Sequence, residues 1–206
     1  MKAFFGGTFD PIHLGHLNAA VAGCGALRLN FVTLVLSAQP PHRAVPTAAA
    51  DERWEMLKYA VADDDRLQAS DLELQREGPS FTIDTVIALR AAFAEPIVWM
   101  FGSDGLATYD TWHRSDELKD HCHLLVFARP GAADDATITR RTGFEVVRQP
   151  QALHEQPAGL LLELQAPMLD ISATRVRRDI AAGRDVGELL PPRVWTYIKQ
   201  RELYTV

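Results

Sequence analysis

Two cysteines in 206 residues, Cys24 and Cys122, offer no disulfide framework, and no leader-like apolar segment is present, so a cytoplasmic location is expected. Long hydrophobic runs are lacking too. "FVTLVL" (31–36) and "IVWMF" (97–101) are strand-sized and fall far short of the roughly 20 residues that cross a bilayer, so no membrane partner is expected. There is no basic surplus: 21 Lys and Arg face 27 Asp and Glu, a formal charge of −6, which lacks the footprint of a nucleic-acid binder. A small anionic ligand stays open, because a few local donors suffice for it. Neither a GxGxxG fingerprint nor a Gly-Lys-Ser/Thr loop is spelled anywhere. Internal repeats and low-complexity tracts are also missing.

What is present is a chain with 47% hydrophobic residues, enough to bury one sizeable core, and a single domain over 1–206 is expected. Strand-like and helix-like segments alternate. Strands are predicted at 2–5, 31–36, 97–101 and 123–128. Helices are predicted at 15–29; over "DERWEMLKYAV" with Trp54, Leu57 and Val61 inward; after Ser80 with Ile83, Val86, Leu89 and Phe93 inward; and briefly after a Ser115 cap. Ser172 opens a further helix that stops at Gly183, and Pro191 and Pro192 announce the last one, 191–201, so the part from about 171 to 206 reads as helical. The stretch 130–160 resists assignment. This alternation predicts an α/β fold, Rossmann-like, with a doubly wound, mostly parallel sheet and helices on both faces.

The stretch "GGTFDPIHLGH" (6–16) lies between the first strand and the first helix, where open α/β sheets bind ligands. Gly6 and Gly7 allow close backbone approach to an anion, and Gly15-His16 begins a helix whose free N–H groups favour negative charge. His13 and His16, three apart, can reach one anion together and share charge that builds up in a transition state. Asp10 is expected only to order the turn before Pro11. Near the other end, "ISATRVR" (171–177) sets Ser172 and Thr174 at a helix N-terminus with Arg177 further along, a donor set suited to a polyphosphate. A zinc site from His13, His16 and "HCH" (121–123) fits by ligand type but matches no structural zinc spacing.

"GGTFDPIHLGH" resembles the first signature of the HxGH nucleotidyltransferases, and "ISATRVR" resembles their second, with Ala173 where a serine is usual. "SAQPPHR" (37–43), "REGPSFTIDT" (76–85), "GSDGLATYDTWHR" (102–114) and "LLVFARPG" (124–131) are similar to one branch, the bacterial nicotinate mononucleotide adenylyltransferases. Phosphopantetheine adenylyltransferases share the loop and the second signature but lack the "GPSFTIDT" stretch.

The resemblance implies that Gly7, Thr8, Phe9, His13 and His16 line the ATP phosphates with Ile171, Ser172, Thr174 and Arg177, and that His13, His16 and Arg177 are catalytic. Gly102 and Asp104 would meet the adenosine. On the mononucleotide side it implies Trp112 flat on the nicotinate ring, Tyr109 as a further mononucleotide-binding residue, and Thr85 with nearby backbone N–H groups serving the ring carboxylate. His42, Arg43 and Arg129 would serve the mononucleotide phosphate. Trp99, mid-strand, reads as core. The implied reaction is attack of the mononucleotide 5′-phosphate on the α-phosphorus of ATP, giving deamido-NAD and pyrophosphate, with Mg2+ carried by ATP phosphates and water. No protein metal ligand is implied, and a homo-oligomer is left open.

Overall fold

The computed structural model describes residues 1–41, 45–127, 135–165 and 169–205. Its strands are β1 (Lys2–Gly7), β2 (Val32–Leu36), β3 (Leu67–Ser70), β4 (Ile97–Gly102), β5 (His123–Phe127), β6 (Glu145–Val147) and β7 (Leu160–Leu164). They join in one sheet of seven in the order β3-β2-β1-β4-β5-β7-β6, and every pairing is parallel. The helices are α1 (Leu14–Ala26), α2 (Ala50–Val61), α3 (Thr82–Ala92), α4 (Ser103–Ala107), α5 (Asp135–Thr142), α6 (Ala173–Ala181) and α7 (Pro192–Gln200).

Because successive strand side chains point to opposite faces, the apolar strands feed two cores. Phe5, Leu34, Met100 and Leu125 pack with Ala19 of α1, Met56 of α2, Val176 of α6 and Ile198 of α7. Phe4, Val35, Trp99 and Val126 pack with Ile83, Val86 and Leu89 of α3 and Ile138 of α5. Each fully buried aliphatic side chain contributes roughly 1.5–3 kcal/mol, and this burial rather than capping holds α3. Its N-cap position, Phe81, makes no side-chain cap bond.

Three local expectations are corrected. Ser80 does not cap α3; its hydroxyl accepts from the Gln39 N–H at 3.0 Å, and its own N–H donates to the Gln39 carbonyl at 2.9 Å, so it joins the loop after β2 to the start of α3. Ser115 begins a 3-10 turn, Ser115–Asp120, with no side-chain cap; the left-handed Arg114 (φ 51°) precedes it. On α2 the fully buried stripe is Arg53, Met56, Leu57 and Ala60, while Trp54 and Val61 are only half-buried, so the inner face is turned by about one residue. The unassigned stretch holds α5, β6 and a short 3-10 turn, Pro150–His154. β3 and β7 were not anticipated either: "LQAS" has little apolar character, and "LLLEL" shows no alternation.

The chain runs from β1 outward through β2 to β3 and then crosses back to β4 on the other side of β1. The direction of winding therefore reverses between β1 and β4, and the crevice outside their carboxyl ends is where such sheets take ligands. Gly7 ends β1 and Gly102 ends β4.

Candidate active site

At the end of β1 the two histidines build the start of α1. The His16 N–H donates to His13 Nδ1 and the His13 N–H donates to His16 Nδ1, each at 3.3 Å, a reciprocal capping box made of imidazoles. The rings stack with centroids 3.6 Å apart at 20°. Since both Nδ1 atoms accept, hydrogen-bond logic assigns the proton of each neutral ring to Nε2. A Cβ at position 15 would lie 3.0 Å from His13 Nδ1, so glycine there gives the ring its room. His13 is 4% exposed, and burial pushes its pKa down to about 4, which keeps it a neutral donor near pH 7. Phe9, at φ 47°, sets its ring edge-on to His16 with centroids 5.1 Å apart. That ring fills the space a Cβ at Gly7 would take, so Gly7 serves packing.

The second signature is brought against the first. Ser172 caps α6, its Oγ accepting from the Arg175 N–H at 3.3 Å. Arg177 Nη1 donates to the Asp10 carbonyl at 2.6 Å, and Nη2 reaches Thr174 Oγ1 at 3.5 Å. Ile171 Cβ lies 3.5 Å from the position a Cβ on Gly15 would occupy. The N-termini of α1 and α6 thus approach one loop, whose Asp10 carbonyl the Arg177 guanidinium holds, and Ser172 and Thr174 stay exposed.

Two buried residues, Asp10 and Arg53, hold this loop. Asp10 does more than order a turn: its carboxylate accepts from the Thr47 N–H at 2.8 Å, the Ala48 N–H at 3.1 Å and the Tyr204 hydroxyl at 2.7 Å. Arg53, 1% exposed, donates to the carbonyls of Thr8 (2.9 Å), Ser37 (2.6 Å), Ala38 (2.8 Å) and Ala48 (3.2 Å), stitching α2 to the loops after β1 and β2. Burial lowers its pKa, but a guanidinium with four carbonyl acceptors remains charged. A basic residue in register with Met56, Leu57 and Ala60 on an apolar helix face was the signal to follow.

The implied acceptor residues gather around α3 and the loop after β4. Trp112 is half-buried, 5.1 Å from the Phe101 ring and 5.5 Å from the Tyr109 ring. The phenol of Tyr109 is 1% exposed, and its hydroxyl donates to the Ser115 carbonyl at 2.6 Å. Tyr109 stands as a support under Trp112, with its side chain in the core. Thr85 is fully buried: its hydroxyl donates to Glu73 Oε1 at 2.6 Å and accepts from Arg76 Nη2 at 2.7 Å. Its side chain links α3 to the loop after β3, and Glu73, also buried, has its pKa pushed up by desolvation. His113 stacks on Phe81 at 4.1 Å, which ties the Trp112 loop to the start of α3. Asp104 lies exposed in α4, directly after Gly102 and Ser103. His42, Arg43 and Arg129 lie outside the described residues. Trp99 is core, as expected. His123 sits in the sheet with Nε2 on the Gln156 carbonyl (2.9 Å) and Nδ1 on the Leu160 N–H (3.2 Å), so neither nitrogen is offered to a zinc ion. Among the described residues no helix is long and apolar enough to cross a membrane.

The cytidylyltransferase-like family matches residues 4–179. A protein of Sodalis glossinidius named "Probable nicotinate-nucleotide adenylyltransferase" is 42% identical over 99% of this chain and 97% of its own length. One of the same name from Pectobacterium atrosepticum is 40% identical over 99% and 98%. In fold, the Plasmodium falciparum nicotinic acid mononucleotide adenylyltransferase complexed with NaAD superposes with a TM-score of 0.77 at 16% identity, covering 99% of this chain and 98% of the other. With a family match across most of its length and full-length relatives at this identity, the chain belongs to the cytidylyltransferase-like family, alongside relatives named as nicotinate-nucleotide adenylyltransferases.

Proposed function

We infer that this protein transfers AMP from ATP to nicotinate mononucleotide. The 5′-phosphate of the mononucleotide attacks the α-phosphorus, pyrophosphate leaves in line, and the product is deamido-NAD. The observation that carries the reading is the junction of the two signatures: the stacked imidazoles of His13 and His16 open α1 at the end of the loop whose Asp10 carbonyl accepts from the Arg177 guanidinium. The names of the full-length relatives supply the acceptor.

Little covalent chemistry is left for the protein. The attacking phosphate is already ionised near pH 7, so no general base is required, and catalysis is positioning plus stabilisation of developing charge. His13 and His16 donate from Nε2 to the phosphates, and Arg177 offers its remaining N–H groups to the same oxygens. Gly7, Thr8, Phe9, Ile171, Ser172 and Thr174 line the triphosphate. Asp104 accepts from ribose hydroxyls beside Gly102. Trp112 stacks on the nicotinate ring. The first-turn N–H groups of α3, which have no intrahelical acceptor, suit the ring carboxylate, with Thr85 anchoring that turn from inside. His42, Arg43 and Arg129 are proposed for the mononucleotide phosphate.

Among the described residues no cluster of three or more His, Cys, Asp or Glu side chains could hold an ion, and the Asp10 carboxylate already has three donors. Magnesium would arrive on ATP, held by phosphates and water, where it offsets phosphate charge.

Pyrophosphate release from ATP, measured with nicotinate mononucleotide, its amide and phosphopantetheine offered separately, tests this. Release fastest with the nicotinate form is expected. Equal or faster release with another acceptor overturns the acceptor, and no release with any overturns the transferase reading.

A further inference from the structure

Asp10 is fastened to Tyr204, a residue 194 positions away that no part of the reaction scheme uses. Tyr204 lies beyond α7 in a left-handed conformation (φ 65°), is 8% exposed, and donates to Asp10 Oδ1 at 2.7 Å. On the other side of the same aspartate, Arg177 Nη1 holds the backbone carbonyl at 2.6 Å while standing 3.7 Å from carboxylate Oδ2.

We propose that Tyr204 is a positioning residue for the phosphate site, acting through Asp10 on Arg177. A carboxylate beside a guanidinium tends to close into a bidentate pair, which would take up the N–H donors a polyphosphate needs. Here the carboxylate is satisfied by three uncharged donors, Thr47 N–H, Ala48 N–H and the Tyr204 hydroxyl, so the arginine docks on the carbonyl and keeps a fixed direction. The Tyr204 hydroxyl is the side-chain member of that set and is removable without changing the backbone. Burial and the adjacent Asp10 push its pKa up, which keeps the phenol a donor near pH 7.

The inference rests on the adenylyl-transfer reading, and the test separates the two. In Tyr204→Phe the ring still packs, but Asp10 Oδ1 loses a donor and Arg177 is drawn toward the carboxylate. Calorimetric binding of ATP with magnesium, with no acceptor present, should weaken about 5- to 10-fold, and the ATP KM should rise with it. The KM for nicotinate mononucleotide should stay within about twofold, which general loosening of the fold would not spare. In an Arg177→Ala background the Tyr204→Phe change should cost less than about twofold, because its intermediary is gone. Unchanged ATP binding, parallel rises in both KM values, or a full effect in the Arg177→Ala background would each overturn the proposal. A parent protein that binds ATP but transfers nothing would instead count against the adenylyl-transfer reading alone.

Discussion

On the phosphate side, His13, His16, Asp10 and Arg177 fix one another through directed hydrogen bonds of 2.6–3.3 Å. On the acceptor side, the Trp112 indole rests on the Phe101 and Tyr109 rings, and the residue's hydrogen bond to Tyr109, N–H to carbonyl at 3.0 Å, is a backbone one. The difference follows from what each side must do. Charge that develops at a transferring phosphoryl group is stabilised only by donors already in place, since reorienting them during the reaction would cost what they supply. A flat aromatic ring asks for a surface of the right shape, and stacking tolerates small displacements.

The comparison predicts unequal costs for breaking the two sides. Removing a pre-organised donor in His16→Ala should lower kcat by about 10²–10³, roughly 2.7–4 kcal/mol, with a smaller change in the ATP KM. Steady-state rates at saturating substrates check this, and near-normal turnover would remove His16 from the reaction.

Trp112→Ala should act on binding instead. Loss of one stacked base is worth about 1–3 kcal/mol, so the KM for nicotinate mononucleotide should rise roughly 5- to 150-fold while ATP notices little. The parent's fluorescence should change on adding the mononucleotide, and the variant should lose that change against the background of Trp54, Trp99 and Trp195. Should the variant keep both its KM and its signal, Trp112 is only a packed loop residue.

The same contrast explains how much could be read before folding. The phosphate loop is contiguous, and the spacing of His13 and His16 at a strand-to-helix junction already placed both rings at one helix start. Ser172 and Thr174 likewise announced a second helix start. Arg53 and Tyr204 were not legible as parts of the site, because their partners are backbone carbonyls and a carboxylate supplied by distant turns. On the acceptor side, the resemblance gave residues but not their directions. The resemblance put Tyr109 among the mononucleotide-binding residues, and its hydroxyl is satisfied by the Ser115 carbonyl while its ring is core. A polar sequence neighbourhood does not reveal which way a side chain turns when a 3-10 segment winds the loop back on itself.

Each side also holds a buried titratable group, and the two have opposite signs. His13 has a folded pKa near 4 against 6.5, so the unfolded chain binds more protons between those values and stability should fall as pH drops from about 6.5 toward 4. The loss should be on the order of 1–3 kcal/mol. Glu73 has its pKa raised, so its contribution is complete below the unfolded value of about 4.5 and is lost as pH rises through the folded value. Urea midpoints measured across pH should lose their acid slope in His13→Asn, which retains a capping acceptor. In Glu73→Gln the protein should instead gain stability near pH 7. An acid slope that survives His13→Asn would place the proton uptake elsewhere.

The smallest effect is expected at Ala173, the one position in the second signature that departs from the usual serine. The residue opens α6 directly after the Ser172 cap and is half-buried. The free N–H groups of the first turn are backbone groups, and Arg177 is oriented by Asp10, so neither depends on a hydroxyl at 173. Ala173→Ser should therefore change kcat/KM by less than about tenfold, roughly 1.4 kcal/mol in either direction, and leave the KM for the mononucleotide unchanged. A gain confined to the ATP KM would show the added hydroxyl reaching a phosphate oxygen. A loss well beyond tenfold would mean the start of α6 is packed around the alanine methyl, and the phosphate side would then owe its order to close packing as much as to directed hydrogen bonds.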